Sequence, residues 1–129
     1  ICAEWAGGGL PAWLANPAIV GHPLPRLRSD DPAYLARVDA WWDVLLPRVA
    51  RWTVARGGPI AAVQVENELG FVGPERAYMK HLARRAAALL GPDVVLFTVD
   101  PPDKLAAGAL KGPSTLTTVD FGPSANIGA

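Results

Sequence analysis

Gly57-Gly58-Pro59-Ile60-Ala61-Ala62-Val63-Gln64-Val65-Glu66-Asn67-Glu68-Leu69-Gly70 is the stretch on which the fold turns. It opens on a breaker, continues as a short apolar run from Ile60 to Val65, and ends in two carboxylates flanking an amide. An apolar run without alternation, bounded by glycine and proline, predicts a strand buried on both faces. Such strands belong to parallel sheets, and parallel sheets present their reactive groups where the strands end at the carboxyl side. Glu66, Asn67 and Glu68 fall at that end. One of two neighbouring carboxylates can be kept protonated by burial and by like charge, which suits general acid work. The same triplet also reads as ordinary loop acids that lead into the next helix.

Working outward, the flanking segments alternate in type. Upstream, Asp30 or Asp31 can cap a helix with Pro32 in its first turn, where a missing N–H costs nothing. Leu35, Val38, Trp42, Leu45 and Val49 then recur at spacings of three and four and draw one apolar stripe. Pro47 is expected to kink that helix or end its regular part. Downstream, Glu75 to Leu90 predicts a second helix with Tyr78, Leu82, Ala86 and Leu89 on one face, stopped by Gly91-Pro92. Val94 to Val99 and Thr115 to Phe121 read as strands, joined by a less regular crossover. At the start, Ile1 to Trp5 reads as a strand end, followed by a Gly7-Gly8-Gly9 loop, the apolar run Leu10 to Leu14, and an irregular loop over residues 15–29. The order strand, helix, strand, helix, strand, crossover, strand predicts an α/β fold with a parallel sheet covered by helices. A doubly wound sheet and part of an eight-stranded barrel fit the pattern equally.

Composition narrows the function. The chain has 129 residues, half of them hydrophobic, and its 12 basic and 12 acidic side chains cancel. Neutral charge argues against nucleic acid or an anionic membrane surface as the main partner. No run of about 18 apolar residues occurs, so no membrane span is expected. Cys2 is the sole cysteine, which excludes an internal disulfide and a CxxC metal site. Neither His22 nor His81 has a metal-ligand partner at useful spacing, and no metal or cofactor is expected. Gly7-Gly8-Gly9 lacks the lysine and hydroxyl residue of a phosphate-binding loop. Arg76, Lys80, Arg84 and Arg85 with Glu75 are expected to form a solvated helix face. Trp41, Trp42 and Trp52 are expected in core packing, while Trp5 and Trp13 read equally as pocket wall or scaffold. Asp100 and Asp120 follow apolar strands and suit either a catalytic face or a loop cap. The chain opens on Ile1 inside a strand-like run and reads as an excerpt.

Four segments in order resemble family 35 of the glycoside hydrolases. Ile1-Cys2-Ala3-Glu4-Trp5 with Gly8-Gly9-Leu10-Pro11-Ala12-Trp13-Leu14 is similar to that family's third-strand signature, and Gly57 to Ile60 with Gln64 to Glu68 to its fourth. Val95 to Thr98 and Thr118 to Gly122 resemble the fifth and sixth strands. The resemblance implies a partial (β/α)8 TIM barrel, with residues 1–129 covering approximately strands 3 to 6 of the catalytic domain. It implies retaining hydrolysis of terminal β-linked galactose, with Glu68 as general acid/base and Asn67 bonded to the sugar, at the 2-hydroxyl. Ala3, through its backbone, and Glu4, through its carboxylate, match positions that hold galactose hydroxyls, and Cys2 lies beside them. The nucleophile, a second carboxylate roughly 5 Å away, is expected on a seventh strand beyond Ala129. These residues alone should therefore be inactive and leave two open strand edges. Glu66 is expected to support Glu68 or face a neighbouring strand. Leu69 stands where the family often has an aromatic residue, and Ala6-Gly7 replaces a bulkier pair, which bears on subsite shape more than on reaction type. A barrel hydrolase for another β-linked sugar, or a sugar-binding protein without turnover, are the rival readings.

Overall fold

The computed structural model describes residues 6–112 and 115–122. Among these residues three strands, β1 (Ala62–Gln64), β2 (Val95–Asp100) and β3 (Thr115–Val119), form one sheet in the order β1-β2-β3. Both pairings are parallel, with Val63 opposite Leu96 and Thr98 opposite Thr117. The helices are α1 (Ala6–Gly9), α2 (Pro17–Val20), α3 (Pro32–Ala50), α4 (Arg76–Leu90) and α5 (Leu105–Gly108). The strand expected over Ile1 to Trp5 lies outside the described residues.

Helix α3 begins where the capping chemistry places it. Asp31 Oδ1 accepts from the Ala33 amide at 2.8 Å and from the Tyr34 amide at 3.3 Å, and Pro32 follows as the first helical residue. The helix does not end at Pro47, as the sequence suggested it could. Pro47 lies only one turn from the C-terminus, so the single N–H it lacks does not stop helical hydrogen bonding from reaching Ala50. Helix α4 keeps its predicted span but turns Met79 and Leu90 inward beside Tyr78, Leu82 and Ala86, with Leu89 only partly buried. The irregular loop expected over residues 15–29 contains one helical turn, α2, because Asn16 Oδ1 accepts from the Ala18 amide at 3.0 Å and Pro17 opens the turn. Gly7 to Gly9, expected in a loop, fall within the turn α1. The crossover between β2 and β3 is the turn α5.

The core lies on one face of the sheet. Leu96, Val65, Val94 and Leu110 pack with Leu82, Ala86 and Leu90 of α4 and with Leu46 and Ala50 of α3. Two of the helix-region tryptophans depart from expectation. Trp42 packs against this core, but Trp41 and Trp52 are 59% and 63% exposed. Trp41 sits one residue, and so about 100° of helix turn, away from the buried stripe, and Trp52 lies beyond the end of α3. The basic face of α4 is only partly solvated. Arg85 pairs with Asp43, and His81 Nε2 lies 2.8 Å from Asp39 Oδ1, so both reach across to α3. Such partly exposed pairs contribute about 0–1 kcal/mol each.

Candidate active site at the carboxyl ends of the strands

Because all three strands are parallel, Glu66 to Glu68, Asp100 and Asp120 arrive at one edge of the sheet. The regular strand β1 is shorter than the Ile60 to Val65 run predicted. Pairing nevertheless continues past it: the Val65 amide donates to Phe97 O at 2.8 Å and the Glu68 amide to Val99 O at 2.8 Å. Between these bonds the chain bulges, and the bulge holds the polar triplet.

The bulge is strained. Among the described residues, the non-glycine positions with positive φ are Arg28 (53°), Glu66 (68°) and Glu68 (50°). A left-handed conformation costs an L-residue roughly 1–2 kcal/mol, and such strain persists where surrounding contacts over-determine it. All three residues belong to one cluster. Arg28 Nε donates to Glu66 Oε1 at 3.0 Å, and Arg28 Nη2 donates to Glu66 Oε2 at 2.6 Å. The same Nη2 lies 2.5 Å from the Asn67 carbonyl oxygen. Tyr78 Oη donates to Glu66 Oε1 at 2.8 Å, and the Asn67 amide donates to Glu66 Oε2 at 2.8 Å. Four donor contacts thus converge on a carboxylate that is only 9% exposed, which fits a brace better than a reacting group.

The electrostatics agree with that role. The hydrogen bond to Glu66 holds the Arg28 guanidinium above its ordinary pKa, against the opposing effect of burial. Burial pushes the Tyr78 phenol far up, with the Glu66 charge adding to it, so Tyr78 stays protonated and remains a donor. Tyr34, its ring 6.0 Å from that of Tyr78, is raised chiefly by burial as well.

Asn67 is oriented by Gln64, whose Nε2 donates to Asn67 Oδ1 at 2.9 Å and to the Glu66 carbonyl at 3.0 Å. That bond fixes the amide's orientation, so that Asn67 Nδ2 is the donor end of the side chain. Glu68 lines an open cleft of about 360 Å³ together with Pro101, Pro102, Asp103, Asp120, Phe121 and Gly122. The two remaining strand-end acids divide between the readings the sequence left open. Asp120 lines the cleft, and its Oδ1 is buried without a hydrogen-bond partner among the described residues. Asp100 is a loop clasp: it is 1% exposed and accepts from the Gly70 amide at 2.7 Å. Burial raises its pKa, opposed by the Gly70 bond.

Of the site residues named from sequence, Glu68 lines the cleft and Asn67 precedes it in the same bulge, whereas Ala3 and Glu4 lie outside the described residues, as do Cys2 and Trp5. Trp13 is 39% exposed beneath the Arg37 guanidinium, 5.7 Å from the ring centre. Arg28, Tyr78 and Gln64 were not singled out by sequence. Arg28 is 38 residues from Glu66 and lies in a segment with no periodicity, so no local signal points to it. Tyr78 was legible only as one residue of an apolar helix face. Among the described residues no group of three His, Cys, Asp or Glu side chains could hold a metal ion, and no helix is long and apolar enough to cross a membrane.

A parallel α/β sheet with helices on its core face and carboxylates and an amide gathered at the carboxyl edge is the arrangement of α/β barrel enzymes. The chain belongs to family 35 of the glycosyl hydrolases, whose family model matches residues 1–129; this is a TIM-barrel family. It is 47% identical over 128 residues to the mouse (Mus musculus) Beta-galactosidase-1-like protein, covering 98% of this chain and 19% of that protein. It is 48% identical over 130 residues to the human (Homo sapiens) Beta-galactosidase, covering 98% and 18% respectively. Against Beta-galactosidase 17 of Arabidopsis thaliana the identity is 42% over 123 residues, covering 94% and 17%. The chain therefore spans about a fifth of the length of the curated relatives it matches.

Proposed function

We propose that the protein is a retaining exo-β-galactosidase in which Glu68 is the general acid/base. Glu68 protonates the glycosidic oxygen while a second carboxylate, supplied from outside residues 1–129, attacks the anomeric carbon. The C–O bond to the leaving group breaks and a galactosyl-enzyme ester forms. Glu68, now ionised, takes a proton from water as that water displaces the ester and restores the original configuration. Asn67 donates from Nδ2 to the sugar, at the 2-hydroxyl, where such bonds strengthen as positive charge develops. Ala3, through its backbone, and Glu4, through its carboxylate, hold further galactose hydroxyls. Residues 1–129 correspond in this reading to approximately strands 3 to 6 of the catalytic barrel. Two carboxylates suffice for the chemistry, so no cofactor enters it.

The observation that carries the reading is Glu68 itself. It is a left-handed residue at a strand's carboxyl end, its amide tied to Val99, and it lines an open cleft beside Asp120. The names of the relatives supply the sugar. The test uses the full-length enzyme, comparing wild type with Glu68→Gln on aryl β-D-galactosides. The variant should lose most of its rate on poor leaving groups and regain turnover of activated substrates with azide, yielding β-galactosyl azide. Full activity in the variant sinks the assignment of Glu68. A wild type inert on galactosides but active on another β-linked sugar sinks the substrate and keeps the reaction.

A further inference from the structure

We infer that Arg28 is a positioning residue for the acid/base: by bonding both Glu66 and the Asn67 carbonyl, it holds the peptide plane from which Glu68 projects. This rests on the proposed role of Glu68 and deepens it.

The peptide group joining Asn67 to Glu68 is gripped on both sides. Its carbonyl oxygen accepts from Arg28 Nη2 at 2.5 Å, and its N–H donates to Val99 O at 2.8 Å. Rotation of that plane would change ψ of Asn67 and φ of Glu68 together. Since φ of Glu68 is held at 50°, where an L-residue resists staying, a plane released on one side has a reason to turn. The plane before it is tethered too, because the Asn67 amide donates to Glu66 Oε2. Glu66 can serve as an anchor only while Arg28 and Tyr78 hold its carboxylate. Gln64 also touches the triplet twice, at the Glu66 carbonyl and Asn67 Oδ1, but Arg28 joins the Glu66 carboxylate to the carbonyl of the peptide that carries Glu68. A planar guanidinium fork does this, and a lysine ammonium cannot reproduce the geometry.

Arg28 is itself delivered by a closed turn. Ser29 Oγ donates to the Arg26 carbonyl at 2.7 Å and accepts from the Asp31 amide at 3.2 Å, and the Arg26 amide donates to Asp31 Oδ2 at 3.0 Å. Asp31 also caps α3. The aim of Glu68 is therefore set from the far end of a turn-and-helix unit rather than by its own strand alone. Three strained residues meet in one hydrogen-bonded cluster, which is the pattern of a site fixed before substrate arrives.

The test measures kcat/KM in the full-length enzyme for an alkyl β-D-galactoside, whose leaving group must be protonated, and for the 2,4-dinitrophenyl galactoside, whose leaving group need not be. Arg28→Met should lose about 100-fold on the alkyl substrate, the scale of a reacting group displaced by about 1 Å, and less than about 5-fold on the dinitrophenyl one. Arg28→Lys should recover only part of the loss, and Tyr78→Phe should show the same selectivity at about 3- to 10-fold, since it removes one bond at one remove. If Arg28→Met does not fold, these two milder variants are read by the same ratio. An equal loss on both substrates, or none, overturns the inference and leaves Arg28 as a structural tie. Glu68→Gln measured alongside separates the two ideas. If it discriminates between the leaving groups and the Arg28 and Tyr78 variants do not, only the positioning role falls. If it does not discriminate, the role of Glu68 falls and takes this one with it.

Discussion

Gly108→Ala should destabilise the protein severely, and removing Asp100 should partly repair it. A Cβ built at Gly108 stands 2.1 Å and 2.2 Å from the two carboxylate oxygens of Asp100 and 2.3 Å from its Cγ, whereas ordinary contacts begin at 3.4 Å. The carboxylate would have to retreat by about 1 Å, and overpacking of that kind costs about 1–3 kcal/mol. It has no solvent to retreat into, being 1% exposed. Moving it also breaks the 2.7 Å bond from the Gly70 amide, which orphans a buried donor at about 1–3 kcal/mol more. The combined cost is about 4 kcal/mol. The assay is a four-member cycle of wild type, Gly108→Ala, Asp100→Ala and the double variant, followed by denaturant or thermal midpoint in the full-length protein. Asp100→Ala alone should lower the midpoint, since it also orphans the Gly70 amide. In the Gly108→Ala background the same change should raise it, because there it removes the clash. A change of sign between backgrounds is the signature of direct contact. If Asp100→Ala lowers the midpoint equally in both, Gly108 and Asp100 are not packed as described.

Asp100→Asn should stabilise the protein at pH 7 and above, since Asn keeps an oxygen for the Gly70 amide and sheds the buried charge. Burial raises the pKa of Asp100 in the folded state, so the cost of ionising it is absent below the ordinary carboxylate pKa of about 4, grows as pH rises through that value towards the raised one, and stays constant beyond. The midpoint difference between variant and wild type should accordingly vanish on acidification; a difference independent of pH would show that Asp100 is not the group being neutralised. Gly58→Ala should lower the midpoint by the equivalent of about 3 kcal/mol, because its Cβ would lie 2.1 Å from the Trp52 carbonyl oxygen, a backbone atom that already accepts from the Ile60 amide. Hydrogen exchange should quicken at the Ile60 and Val54 amides as the Thr53–Ile60 bridge opens, and unchanged exchange there would refute the account.

The sequence alone determined the alternation of helices and strands, because hydrophobic period, proline position and capping residues act over a few neighbours. Asp31 and Pro32 start α3, Gly91 stops α4, and the apolar runs before Asn67 and Asp100 are strands of a parallel sheet. It also singled out Glu66-Asn67-Glu68, since polar groups that end an apolar strand are visible in one dimension. It left Glu66 and Glu68 undivided by residue pattern and left Asp100 and Asp120 open between two roles. Only the tertiary structure decided those points. Glu66 is a brace because Arg28 and Tyr78, 38 and 12 residues away, converge on it, and Asp100 is a clasp because the loops carrying Gly70 and Gly108 close over it. The exposure of Trp41 and Trp52 and the passage of α3 beyond Pro47 were likewise settled by packing and chain end rather than by composition. Local propensity is written in spacing. The partner of a charge is fixed by which distant segments fold beside it, and no spacing records that.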